Sequence, residues 1–177
     1  MKPYLTPIAS IALLLTTSAA FAGPGHGDGH DDNHAAMMGQ PGDAAKADRV
    51  INVSMTEMAF EPSSIEVMEG ETITFVVSND GEIVHEFNLG TEKMWQGHLD
   101  EMMKMMDTGM MTVDKINHDK MMQAGMMHDD ANSALLEPGQ TAKVTWTFGE
   151  KTELGFACNV PGHRESGMVG EISFMQH

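Results

Sequence analysis

Cysteine is nearly absent from this chain: Cys158 stands alone among 177 residues. No disulfide can form within the chain, and an exported protein usually pairs its cysteines, so this one calls for another role. Basic residues are also scarce, 10 against 26 acidic, giving a formal net charge of −16. Such a balance repels nucleic acid and anionic lipid and favours cations and basic partners. Long apolar runs are missing as well. The run from Ile8 to Leu15 is far shorter than the ~20 residues a spanning helix needs, and no later stretch approaches that length.

That short run follows Met1-Lys2 and leads into Ala20-Phe21-Ala22. A basic start, a brief apolar centre and an A-x-A-like end predict a secretory signal peptide over residues 1–22, with the mature chain starting near Gly23 and not inserted in a membrane. Residues 23–48 are rich in Gly, Ala, Asp and His, have no apolar periodicity, and read as a disordered tail. In it His26, His30 and His34 recur every four residues among Asp28, Asp31 and Asp32. Neutral imidazole binds Cu(II) well, so this tail is a candidate accessory copper site.

From residue 49 the pattern changes. Arg49 to Ser54, Ile65 to Val67 and Thr72 to Val77 are β-branched or alternating, and Ser78-Asn79-Asp80-Gly81 is a turn signal before Ile83 to Phe87. After residue 134, Ala142 to Phe148, Leu154 to Ala157 and Met168 to Phe174 read the same way. Several short strands with turns between them predict an all-β, Greek-key sandwich or barrel over residues 49–177. A single domain of this length can enclose a real core.

Between the two sets of strands lies an insertion, residues 91–133, that holds most of the chain's 19 methionines. Met, Lys, Glu and Gln favour helix, so the insertion is expected to be partly helical, with breaks near Gly109 and Gly125. Met105 to Met111 and Met121 to Met127 form a two-copy repeat, too few for a solenoid. Met102, Met103, Met105, Met106, Met110, Met111, Met121, Met122, Met126 and Met127 come as adjacent pairs. Neighbours on a helix point about 100° apart, so the pairs spread over several faces rather than one core stripe. Soft thioethers select Cu(I), and His98, His118 and His128 add imidazoles. The expectation is that the insertion gathers additional Cu(I).

The densest motif is Cys158-Asn159-Val160-Pro161-Gly162-His163-Arg164-Glu165-Ser166-Gly167-Met168, of the form C-x4-H-x4-M, with His85 beside an upstream strand. Two imidazoles, one thiolate and a weak axial thioether describe a type 1 copper site. Structural zinc draws on Cys and His, and thioether suits it poorly. A binuclear copper centre needs a second bridging thiolate, and a multicopper oxidase needs further His clusters. No Ser-His-Asp or paired-carboxylate constellation points to an enzyme.

Phe60 to Val67, Gly70, Ile73 to Phe75, Asn79 and His85-Glu86-Phe87, followed by the Cys158 loop, resemble the cupredoxins, the plastocyanin- and azurin-like blue-copper proteins. The resemblance covers roughly residues 50–90 and 135–175. It implies a two-sheet β-barrel with one copper near one end. His85 matches the family's upstream ligand and Cys158, His163 and Met168 its loop ligands. Glu86 departs from the Asn or Ser that many members carry there, a neighbour that often braces the Cys loop. The Met-rich insertion and His-rich tail are similar to periplasmic CopI-like cupredoxins of bacterial copper tolerance. Periplasmic copper handling by a monomer is therefore expected, with a redox protein, copper exporter or oxidase as partner. The runner-up is a blue-copper electron carrier whose acidic surface steers a basic partner.

Overall fold

The structure is a computed structural model and describes residues 37–127 and 130–175. Ten strands form two five-stranded sheets. The first sheet has the order β1 (Gly39–Pro41), β8 (Thr141–Phe148), β5 (Thr72–Asn79), β2 (Arg49–Thr56), β3 (Ala59–Glu61). The second runs β4 (Ser64–Val67), β10 (Val169–Phe174), β9 (Leu154–Ala157), β6 (His85–Gly90), β7 (Ser133–Leu136). Pairings are antiparallel except β2 with β5 and β4 with β10, which are parallel. The all-β architecture expected from the strand pattern is the one observed.

Period-2 patterning explains the faces. In β5, Ile73, Phe75, Val77 and Asn79 point inward and are fully buried. Thr72 and Thr74 on the other face meet Thr147 and Thr145 of β8 in hydroxyl pairs of 2.8 and 2.9 Å. Between the sheets Phe60 sits edge-on to Phe87 and Phe156, at ring-centroid distances of 6.3 and 5.0 Å. Phe75 and Phe87 lie 5.4 Å apart. Such pairs add roughly 0.5–1.5 kcal/mol each beyond the burial of their area.

The tail expected over residues 23–48 gives way to structure within its last part. Gly39, Gln40 and Pro41 pair with Phe148, Thr147 and Trp146. Met38 is buried, and its carbonyl accepts the Trp146 indole N–H at 3.0 Å. Apolar periodicity could not reveal this strand, because its tie to the sheet is mostly backbone pairing. Residues 1–36, with His26, His30 and His34, lie outside the described residues, as does His128.

The insertion is partly helical, as expected. Helix α1 spans Glu92–Asp107 and α2 spans His118–Ala124. Thr91 caps α1 by accepting from the Met94 N–H, and Asn117 caps α2 by accepting from Lys120. The sequence repeat is a repeated helix ending. Gly109 and Gly125 adopt φ 67° and 66°. In the first copy Met110 N–H reaches the Met105 carbonyl at 2.9 Å and Gly109 N–H reaches Met106 at 3.0 Å. In the second, Met126 reaches Met121 at 2.9 Å and Gly125 reaches Met122 at 3.2 Å. Both copies are Schellman motifs, which place an apolar residue just past the glycine against one in the last turn.

This geometry sorts the paired methionines. Met102, Met105, Met110, Met111 and Met121 are buried in the main apolar cluster, and Met126 packs against it. Met103, Met106, Met122 and Met127 are exposed. One member of most pairs is thus core filler and the other faces solvent.

Helix α1 docks by Trp95, whose indole N–H donates to the Asn88 carbonyl of β6 at 3.2 Å. The ring needs bare backbone beneath it. A Cβ on Gly90 would come within 2.9 Å of the indole nitrogen, and one on Gly155 within 3.2 Å of the ring. No helix among the described residues is long and apolar enough to cross a membrane.

Candidate metal centre

Strand β6 begins at His85, and its entry is fixed by buried Asn79. The Asn79 amide donates to the carbonyls of Ile83 and Leu136 at 2.8 and 2.9 Å, while its oxygen accepts from Gly81 N–H. Strand β9 ends at Ala157, so Cys158 leaves the sheet beside β6, with which β9 pairs at Asn88 and Ala157. The loop that follows folds back on itself. Cys158 N–H donates to the Met168 carbonyl at 3.1 Å, Met168 N–H to the His163 carbonyl at 3.0 Å, and His163 N–H to Val160 at 2.9 Å. Gly162 and Gly167 take φ 89° and 97°, which lets the loop close in so few residues.

The result is a compact donor set. The ligand atoms of His85, Cys158 and His163 all lie within 4.8 Å of one another. Cys158 Sγ is 3.3 Å from His163 Nδ1 and 4.0 Å from His85 Nδ1. A first-row ion bonded at about 2.0 Å to nitrogen and about 2.3 Å to sulfur would hold trigonal donors roughly 3.7 Å apart, so the spacing fits one ion. Met168 is fully buried at the loop's end, tied by its backbone to both Cys158 and His163. His85 and Cys158 are fully buried too, and His163 is 8 % exposed.

Electrostatics prepare the nitrogens. Burial lowers the His85 pKa, only partly offset by Glu57. Burial, then the neighbouring His85, pushes His163 down to about 4. Both imidazoles are therefore neutral, the form that ligates. Burial pushes the Cys158 thiol up to about 12, against the backbone N–H of Glu86, which reaches its sulfur at 3.3 Å. A metal must therefore displace a proton to take this sulfur.

Glu86, the residue that departs from the family's usual Asn or Ser, still braces the loop. Its carboxylate is fully buried. Oε2 accepts from the Asn159 backbone N–H at 3.2 Å and side-chain N–H at 2.8 Å. Oε1 accepts from Asn88 at 3.3 Å and from the Ser133 hydroxyl at 3.2 Å. His98 Nε2 of α1 lies 3.3 Å from the same Oε1. His98 was expected among the insertion's soft-metal ligands; here it faces inward with Trp95 and Met102 on the docked side of α1. Burial opposes its charge, but Glu86, Glu101 and Asp130 outweigh this and raise its pKa.

Two further contacts had no signal in the sequence. Glu57, in the β2–β3 turn, accepts from Glu82 N–H and brings Oε1 to 3.8 Å from His85 Nε2. Arg164, beside His163, pairs with Glu92 at the start of α1 at 3.0 Å. The secondary candidates stay apart from this centre in character: His118 is exposed at the head of α2, and the exposed methionines face solvent.

Residues 47–175 match the family of copper binding proteins described as plastocyanin/azurin. The chain is 42% identical to a copper-resistant cuproprotein CopI of Pseudomonas aeruginosa, with 96% of each chain covered. A protein of the same name from Rubrivivax gelatinosus is 38% identical, over 97% of this chain and 95% of the relative. One from Vibrio cholerae is 31% identical, over 92% and 94%. Among solved structures the fold resembles auracyanin B, with TM-score 0.57 and 16% identity over 78% of this chain and 97% of that one. Reduced auracyanin of Roseiflexus castenholzii gives TM-score 0.53 and 20% identity, over 73% and 99%. With a buried cysteine thiol, two neutral imidazoles and a buried methionine gathered at one end of two β-sheets, this chain belongs to the plastocyanin/azurin family, as a CopI-like cupredoxin with one type 1 copper.

Proposed function

We propose that this protein handles copper for copper tolerance in the periplasm, after export by its N-terminal signal, and that His85, Cys158, His163 and Met168 hold its type 1 copper. The observation that carries the ligand assignment is the convergence of the two Nδ1 atoms on Cys158 Sγ. Bound copper supplies a one-electron Cu(I)/Cu(II) couple. The residues supply the rest. Neutral His85 and His163 offer lone pairs without first losing protons. Cys158 would give up its thiol proton to take the ion, and Glu86 N–H, already 3.3 Å from the sulfur, would donate to the thiolate. The turns at Gly162 and Gly167 and the brace at Asn159 fix the loop, so little moves on a change of oxidation state.

Relatives named as copper-resistant cuproproteins support the tolerance reading. So does the exposed thioether set of Met103, Met106, Met122 and Met127, which a plain electron carrier does not need. These, rather than the buried Met102, Met105, Met110, Met111 and Met121, are the insertion's sites for extra Cu(I), with His118, His128 and Met126 as further candidates. His26, His30 and His34 are the candidates for Cu(II). The protein acts as a monomeric binding protein rather than an enzyme, exchanging copper or electrons with a redox protein, exporter or oxidase.

The electron-carrier reading keeps one support. His163 is the least buried of the four ligand candidates, so its ring edge offers the shortest way to the surface. Copper loading followed by absorption spectroscopy tests the ligand set. An intense thiolate-to-copper band in the wild type that disappears in Cys158→Ser, and is disturbed in His85→Gln, His163→Gln and Met168→Leu, is the expected result. A band that survives Cys158→Ser would reject the assignment.

A further inference from the structure

The inserted helix does more than cover the sheet. Its residue His98 reaches the buried carboxylate of Glu86, and that carboxylate holds the loop carrying Cys158 by two N–H donors of Asn159. We infer that His98 is a positioning residue of the copper centre, acting through Glu86 as a cationic clamp that offsets a buried negative charge beside the thiolate and sets the balance between Cu(I) and Cu(II). This inference rests on the ligand assignment proposed above.

Three observations carry it. Glu86 is completely buried, and a buried charge is retained only where donors and a counter-charge satisfy it. Glu86 is built into the sulfur's surroundings, since its own backbone N–H reaches Cys158 Sγ at 3.3 Å and its carboxylate holds Asn159, the next residue along the loop. The His98 imidazole lies between two carboxylates, with Nε2 3.3 Å from Glu86 Oε1 and Nδ1 3.3 Å from Glu101 Oε2 one turn along α1. A side chain that merely filled space on the docked face of α1, among Trp95, Leu99 and Met102, would be apolar. The helix itself is anchored independently, by Trp95 over Gly90 and Gly155 and by the Arg164–Glu92 pair. His98 is therefore not required to keep α1 in place.

The electrostatic consequence has a sign. An unbalanced carboxylate near the copper favours the more positive Cu(II) form and lowers the reduction potential. Removal of the carboxylate charge favours Cu(I) and raises it. His98→Leu removes the cation and leaves Glu86 with its Asn159, Asn88 and Ser133 donors. Glu86→Gln removes the negative charge and keeps an acceptor for Asn159.

The test is the reduction potential and absorption band of copper-loaded wild type, His98→Leu, His98→Gln and Glu86→Gln, with amide exchange at Asn159 in the metal-free protein. The expected result is a lower potential for His98→Leu and a higher one for Glu86→Gln. The ratio of Cu(II) to Cu(I) affinity should move by on the order of tenfold in each direction, as for one nearby unit charge in a partly screened site. His98→Gln, which keeps a donor, should preserve the band position and Asn159 protection, while His98→Leu should speed Asn159 exchange. Potentials that do not move, or that move with the same sign in both variants, would overturn the inference even if stability falls. A wild type with no type 1 band would instead overturn the ligand assignment, so the two failures are separable.

Discussion

Paired methionines that divide between core and solvent should separate two properties that the bare sequence confounds. Met102 and Met105 are fully buried on α1, and Met105 also forms the Schellman contact with Met110. Truncating a buried Met to Ala costs about 2–5 kcal/mol, because the lost transfer energy is joined by a cavity the surroundings fill only partly. The double variant Met102→Ala/Met105→Ala should therefore lose several kcal/mol of the metal-free protein's stability or melt α1 outright. Met103 and Met106 are their exposed neighbours, at 47% and 36% exposure. Changing these two, with Met122 and Met127, to Leu removes four accessible thioethers at little volume change, and surface substitutions usually stay within about 0.5 kcal/mol. Denaturant unfolding followed by circular dichroism reads the first property, and anaerobic Cu(I) titration against a chromophoric chelator reads the second. The buried pair should cost stability, and the exposed set should cost Cu(I) beyond the first equivalent. An exposed-set variant that keeps its full Cu(I) capacity, or a buried-pair variant as stable as the wild type, would refute the reasoning.

Three more outcomes follow from the geometry. Copper uptake at pH 7 should release about one proton per ion, from Cys158, since both imidazoles are already neutral; indicator dye in weak buffer measures it, and release of two or more would contradict the depressed imidazoles. The raised pKa of His98 makes its stabilisation fully present below the ordinary histidine value of 6.5 and lost as pH rises through the higher folded value. The stability gap between wild type and His98→Gln should accordingly shrink as pH rises in urea melts of the metal-free protein, and a gap that widens would contradict it. Gly90→Ala should displace Trp95 and cost about 1–3 kcal/mol by overpacking, seen as quenching changes in Trp fluorescence together with a lower melting temperature; an unchanged melt would mean α1 is not seated by this ring.

How much of this was legible depended on whether a feature lies along the chain or across it. Cys158, His163 and Met168 sit on one loop at fixed spacing, and His85 heads a strand, so the sequence offers all four as candidate ligands without any knowledge of packing. Strands β5 and β8 announce themselves by alternation. Strand β1 does not: Gly39, Gln40 and Pro41 carry no apolar pattern, and the strand exists because their backbone meets β8. The methionine pairs suggested helices with apolar residues all round, whereas the rotation of α1 that buries Met102 and exposes Met103 is set by Trp95 finding its glycine-floored seat. Glu86 was visible as a departure from the family, but its partners come from α1, β7 and the Cys loop, three segments distant in sequence. Only the fold could show that the departure keeps the bracing role and recruits the insertion to it.

A type 1 copper fold with additional copper-handling capacity binds more copper than its one redox centre needs. Anaerobic Cu(I) titration of the chain from Gly23, followed by oxidation and an absorption spectrum of the same sample, tests it most directly. Several Cu(I) ions bound per chain, with one becoming a type 1 centre, is the predicted result. A single copper per chain, all of it in the type 1 band, would contradict copper handling and leave an electron carrier with a methionine-packed helical flap.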